Sequence, residues 1–555
     1  MRRCRHHLCT PPGPQEKNTG EKVGENRHAT IELSGLTSRR RQGYRFANTV
    51  GQVADSTLIK GHPLSTPEIG KASSTSPSDL DASFVVGNLA RRTFGRGLLD
   101  ELHIEGYSFG KWTAFEELTD QQCLEILDHY KRLVGAVPFA LLLPDLPPED
   151  LKSKCPLLLL SVLLTASSSY LEIQKQADEI FRHVLADRSI IKGQRSLELF
   201  KGLVTYLTWY HHRFDPETQQ FYQLLQMSTA MAADLSLSKK FAEDNGTLQS
   251  QSLDDLNNVR AFLLCYYLNC GGAVLGYDRL ENMHCIRSLR NAAHLLARSL
   301  SQPLDTESTA IIELMYIAAQ HRTSLNGMEN REPSQIPSWS SESALRSWRD
   351  KYLHAQSPCV VRSSYHYIST YSRLKRADST PPSPADIAAC LKICQAQLSN
   401  VLQEGPTYLT LFGIVEWAPI LTYLFLLPRL EASVTTASTS ASMTDLTPRT
   451  TKMLERLRLQ VAELKATAQF QTTLGAHHFF MWLEIIFSAS ERCTLSLQKA
   501  HSRQSPGTPV DGGGSAYELI HSYTDDAEDG LTSQPRESLR MERFWDDFMS
   551  DWLQW

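Results

Sequence analysis

Apolar residues recur at helical spacing along most of this chain, and the alternation that marks strands is scarce. The pattern is densest over residues 155–237, which open on the run CPLLLLSVLLTASSSY and hold almost no clustered chemistry. Over 194–209, Leu197, Phe200, Val204 and Leu207 follow at steps of three, four and three, so they share one helix face. Residues 116–134 set Leu118, Cys123, Leu124, Leu127 and Leu133 among charges, which predicts a short amphipathic helix. Prolines from Pro138 to Pro148 then make a connector.

Further helices are expected over 219–237, 308–320, 387–402 and 408–427. Residues 256–300 predict two helices separated by Gly271-Gly272. In 451–470, Leu454, Leu457, Val461 and Leu464 keep three–four spacing for only about two heptads, which predicts a packed helix and not a coiled coil. Residues 324–343 and 379–384 are expected as loops, and the Ser/Thr-rich stretch 432–450 as a linker. The fold class expected is therefore all-α, with no internal repeat and one large multi-helix domain over 84–498. A disordered basic region is expected over 1–83, a Gly/Pro/Ser linker over 499–515 and a separate tail over 516–555.

Two apolar runs raise the question of a membrane. Residues 156–164 are too short to span, and 408–428 approach the ~20 residues needed but carry Glu416 and Pro419 mid-run. A carboxylate at the bilayer centre is costly, so both are read as buried helices and no membrane association is expected. The chain has 555 residues, 41% hydrophobic and 21% charged, which suits a soluble globular protein with polar tails. Its net charge of −5 makes it no polycation, so any nucleic-acid contact must be local. The 11 cysteines are odd in number and irregular in spacing, which argues for a reducing compartment over a disulfide framework.

The motifs of catalysis are missing from the sequence. It contains no phosphate loop ending in Lys-Ser or Lys-Thr, no dinucleotide fingerprint, no His-Glu-x-x-His and no Gly-x-Ser-x-Gly. The adjacent pairs His211-His212 and His477-His478 would point to different helix faces and make poor bidentate ligands. Cys390 and Cys394 are four apart but have no third ligand near in sequence, and Cys265, Cys270 and Cys285 sit among apolar residues as core thiols. The chain is expected not to be an enzyme and to hold no cofactor or metal of its own.

Two charged segments remain. Arg39, Arg40, Arg41 and Arg45 form a basic run interleaved with Tyr44 and Phe46, read either as a phosphate-contacting or nuclear-import element or as a solvated patch. Residues 516–555 carry ten acids against three bases, net −7, which leaves the remainder of the chain at +2. The chain's last residues read FWDDFMSDWLQW, and on a helix Trp545, Phe548, Trp552 and Trp555 fall on one face while Asp546, Asp547 and Asp551 lie off it. Acids keep such a segment solvated until a partner's apolar groove folds it, which is the physics of an activation segment. The competing reading is a terminal helix that docks on its own domain, since four exposed aromatics are unusual.

Residues 156–237, with PLLLLSVLLTAS, then QKQADEIFRHVLADRSIIKGQRSLELFKGLVTYLTWYHHRF and QQFYQLLQMSTAMAADLSL, resemble the middle helical region of fungal binuclear zinc-cluster transcription factors. VRAFLLCYYLNCGGA, residues 259–273, resembles the family's next helix. The resemblance covers 110–320 well and the later helices loosely. It implies a helical regulatory domain in a nuclear protein that activates a gene set such as a metabolic gene cluster. It also implies contact with the transcription machinery through the tail, and pairing with itself or a related factor. The family reads DNA through an N-terminal six-cysteine module holding two zinc ions. Here only Cys4 and Cys9 precede Cys123, with four residues between them instead of two, so that module cannot be built from this sequence. Direct DNA binding is thus in doubt. Either a finger lies upstream of a mispredicted start, or the protein is a finger-less co-regulator or scaffold acting through partners.

Overall fold

A computed structural model describes residues 93–213, 220–242, 252–274, 286–328, 340–376, 381–437 and 447–466, with single positions at 283, 483, 487 and 488. The chain divides into two units, Met1–Asp79 and Leu80–Trp555, and every described residue lies in the second. The regions 1–83, 499–515 and 516–555 singled out in the sequence lie outside the described residues. Among the described residues every regular element is helical.

The first layer is built from α1 (Phe94–Leu102), the single turn α2 (Thr113–Glu116), α3 (Asp120–Val134), α4 (Pro148–Lys154), α5 (Pro156–Ala166), α6 (Leu171–Leu185) and α7 (Leu197–Thr208). Helix α3 starts on a capping box, Thr119 with Gln122, which satisfies two orphan N–H donors and places the start four residues later than expected. Helices α4 and α5 begin on Pro148 and Pro156, whose missing N–H costs nothing at that position. Helix α5 is buried from Leu157 to Ala166, so it reads as an apolar run with no polar face and is the hub that α3, α6 and α7 pack around. Helix α6 is two-faced and buries Ile173, Ala177, Ile180, Phe181 and Val184.

The chain continues through α8 (Phe221–Asp234), α9 (Leu237–Lys240), α10 (Leu253–Val274), α11 (Ile286–Ser299) and α12 (Ser308–Met328). It closes with α13 (Ser341–Tyr352), α14 (Cys359–Leu374), α15 (Pro384–Glu404), α16 (Pro406–Leu409), α17 (Ile414–Ala437) and α18 (Thr447–Ala466). Helices α10 and α17 pack against each other and against the first layer through α7. No described helix is long and apolar enough to cross a membrane.

Several expected boundaries shift in the structure. Helix α10 runs through Gly271-Gly272 to Val274, so the double glycine lies inside one helix and does not end it. A Cβ on Gly271 would lie 2.5 Å from Val415 Cγ2 and 2.8 Å from Cγ1, so the bare backbone is what lets α10 approach α17. The stretch expected as a loop from 324 is helical to Met328, and α13 already begins at Ser341. The expected linker 432–450 is shortened at both ends by α17 and α18. Helix α17 tolerates Pro419 and Pro428 in its interior, each costing ~3 kcal/mol in an isolated helix, because Trp417, Ile420, Leu421, Leu424, Leu426 and Leu427 are buried around them.

Gly271→Ala is expected to destabilise. Overpacking costs about 1–3 kcal/mol, more than the ~1 kcal/mol that alanine gains in helix propensity. Val415 is β-branched and cannot swing both methyls away. A thermal melt should show a lower midpoint for the variant, recovered by adding Val415→Ala.

One buried polar network ties the layers together. Arg260 on α10 is 1% exposed and donates to Asp305 Oδ2 at 2.6 Å and to Ser301 Oγ at 2.7 Å. It also reaches Asn257 Oδ1 at 3.3 Å, and the Asn257 amide exchanges two hydrogen bonds with the Leu142 backbone at 2.7 and 3.1 Å. The connector after α3, helix α10 and the 3-10 turn Pro303–Glu307 are thereby joined.

Candidate functional site

The described residues enclose an open cleft of about 920 Å³ between the first layer and the C-terminal helices. One wall is a single face of α3, where Glu125, His129 and Arg132 follow at steps of four and three. The corner between α5 and α6 adds Ala166, Ser169 and Tyr170. The facing wall comes from the start of α14 at Pro358, Cys359 and Val360, and from the end of α15 and α16 at Glu404, Thr407 and Tyr408. Leu411, Leu304 and Leu464 supply apolar surface.

Three hydrogen bonds fix the α3 wall. The Tyr170 hydroxyl donates to Glu125 Oε2 at 2.5 Å, and Gln121 Nε2 donates to Glu125 Oε1 at 2.9 Å. These donors, Tyr170 first, hold the Glu125 carboxyl below its ordinary range. His129 Nδ1 lies 2.8 Å from the Ala166 carbonyl oxygen. A carbonyl only accepts, so Nδ1 carries the proton and Nε2 keeps a lone pair. Burial lowers the His129 pKa, so the ring is neutral at pH 7. On the other wall, burial and then a hydrogen bond to Cys359 push the Tyr408 hydroxyl above its ordinary value. The Tyr408 ring meets Phe412 edge-on at 5.0 Å, and Phe412 meets Trp417 at 5.8 Å, which anchors this wall in α17.

Arg132 and Glu404 differ from these groups. Both are exposed, both line the cleft, and neither makes an ion pair or hydrogen bond among the described residues. Arginine and glutamate elsewhere on the surface do pair, as Arg290 with Glu313 at 2.5 Å.

The remaining polar groups lie deeper. Partly buried Glu416 accepts from Tyr267 O–H at 2.6 Å through Oε1 and from Gly413 N–H at 3.1 Å through Oε2. Burial raises its carboxyl from 4.5 to about 7, and burial raises Glu431 to about 7 as well. His211 and His212 sit on the 3-10 turn Tyr210–Arg213, and the tighter turn brings their rings to 4.2 Å instead of sending them to different faces. Cys390 and Cys394 share a fully buried face of α15, and burial pushes both thiols up, Cys390 to about 12. Such thiols are poor ligands and poor nucleophiles. Cys265 and Cys270 are buried core residues, as expected, and Cys285 lies outside the described residues. No group of three His, Cys, Asp or Glu side chains is placed to hold a metal among the described residues.

The residues singled out for partner contact, Arg39, Arg40, Arg41 and Arg45 and the aromatic set Trp545, Phe548, Trp552 and Trp555, lie outside the described residues, as does His477-His478. The cleft was not foreseen. Its only local trace is the spacing of Glu125, His129 and Arg132, which is the same spacing that a solvated helix face shows. No family model matches the chain, and no curated protein or solved structure matches it.

Proposed function

We propose that this chain is a nuclear transcription regulator of the fungal zinc-cluster type, activating a gene set such as a metabolic gene cluster through a helical control domain and an acidic aromatic tail. The observation that carries the reading is the order of helical patterns over residues 156–237. The all-α architecture, with α5 as a buried hub, is compatible with it. The tail, net −7, carries four large aromatics at spacing that a helix would bring to one face, which is the chemistry of a segment that folds into a co-activator's groove. The family's zinc-binding six-cysteine module cannot be built from Cys4 and Cys9, so in this reading zinc enters only with such a module.

Residues 516–555 fused to an unrelated DNA-binding domain are expected to switch on a reporter, and Trp552→Ala with Trp555→Ala is expected to silence it. A well-expressed but silent wild-type fusion would remove the activation claim.

A second reading is a finger-less co-regulator. It rests on Cys4 and Cys9 being the sole cysteines before Cys123. Purified chain that shifts no DNA at moderate salt, yet pairs with a purified zinc-cluster protein, would favour it over direct DNA reading.

A further inference from the structure

The cleft has a charge pattern that its own residues leave unanswered. Its volume of about 920 Å³ lies near the top of the ~300–1,000 Å³ range of small-molecule sites, so it suits a ligand of moderate size. Glu125 is already engaged through both oxygens by Tyr170 and Gln121. That leaves one unpaired cation, Arg132, and one unpaired anion, Glu404, on opposite walls. A simple anion would satisfy Arg132 and leave Glu404 unmatched, and a simple amine would do the reverse. The same cleft is lined by His129, whose Nε2 keeps its lone pair, by Thr407 and by the apolar residues Ile126 and Leu411.

We propose that this cleft binds a zwitterionic, peptide-like small molecule, with its carboxylate on the Arg132 guanidinium, its ammonium on the Glu404 carboxylate and its apolar body against Ile126 and Leu411. The planar guanidinium suits a carboxylate through two parallel hydrogen bonds. His129 Nε2 and Thr407 suit the amide groups of a short backbone, one as acceptor and the other as donor or acceptor. The wall is pre-organised, because Tyr170 holds Glu125 and Ala166 holds His129 whether or not a ligand is present. The inference stands on the cleft alone and is independent of the transcriptional reading.

Titration calorimetry on the purified full-length chain tests it, with tri-leucine as the probe. Tri-leucine is expected to bind, and its N-acetyl and C-amide forms are each expected to bind about tenfold more weakly. Arg132→Gln should erase the preference for the free acid over the amide, and Glu404→Gln the preference for the free amine over the acetylated form. Both side chains are exposed and unpaired, so both variants should keep the wild-type melting point. No binding of tri-leucine at millimolar concentration, equal binding of the capped peptides, or preferences that survive both substitutions would each overturn the proposal.

Discussion

Arg260→Ala should lower the unfolding free energy by about 3–5 kcal/mol, the cost of leaving one member of a buried ion pair uncompensated. Asp305 is 4% exposed and among the described residues would keep only the Ser301 hydroxyl as a donor. Domains as a rule hold only ~5–15 kcal/mol in total, so the loss should be plain in urea denaturation as a fall in midpoint. The pair itself is not required for stability, because its desolvation cost offsets much of its attraction. Arg260→Met combined with Asp305→Leu should therefore recover most of the loss. Asn257 would still hold the Leu142 backbone in the double variant. A double variant as unstable as the single one would show that the ion pair contributes net stability of its own.

Glu416→Gln should stabilise the protein at pH 8 and change it little at pH 4.5. The folded carboxyl titrates at about 7, raised by burial from 4.5. Between these values the native state holds a proton that the unfolded chain has lost. Stability therefore falls as pH rises through that window, and the loss is complete above pH 7. The effect is at most about 3 kcal/mol, an upper bound because Glu416 is only partly buried. Glutamine keeps the shape and removes the charge. Its oxygen can accept from Gly413 N–H and its amide can donate to the Tyr267 oxygen, which lies within reach of Ser364.

Other groups titrate in the same range. Glu431 acts in the same direction as Glu416. His321, held near 4 by burial with its Nε2 at 2.8 Å from the Lys375 carbonyl, acts in the opposite one, losing stability as pH falls below 6.5. These are common to both proteins, so the difference between wild type and Glu416→Gln at each pH isolates Glu416. A difference that stays flat from pH 4.5 to 8 would refute the assignment.

The two carboxylates that lie deepest in α17, Glu416 and Glu431, show what a linear reading misses. In sequence, Glu416 served only to argue against a membrane span. Its proton affinity is raised by burial and tempered by the hydrogen bond from Tyr267 of α10, and no local pattern pairs the two. The double glycine is similar. Gly271-Gly272 reads as punctuation, yet Gly271 is inside a helix because α17 comes too close for a side chain.

What the sequence by itself determined was the kind of element and the fold class. The 3.6-residue period is a local signal, and an all-apolar run such as 156–164 declares its own burial. Only the tertiary structure decided where α10, α12 and α17 end, and in α10 the close approach of Val415 to Gly271 is the reason the glycine lies inside the helix. Only it brought Glu125, His129 and Arg132 to face Cys359, Glu404 and Tyr408 across one cleft. Helical periodicity reports which side of an element meets apolar surface. It carries no information about which polar groups from distant helices converge, and binding chemistry depends on that convergence.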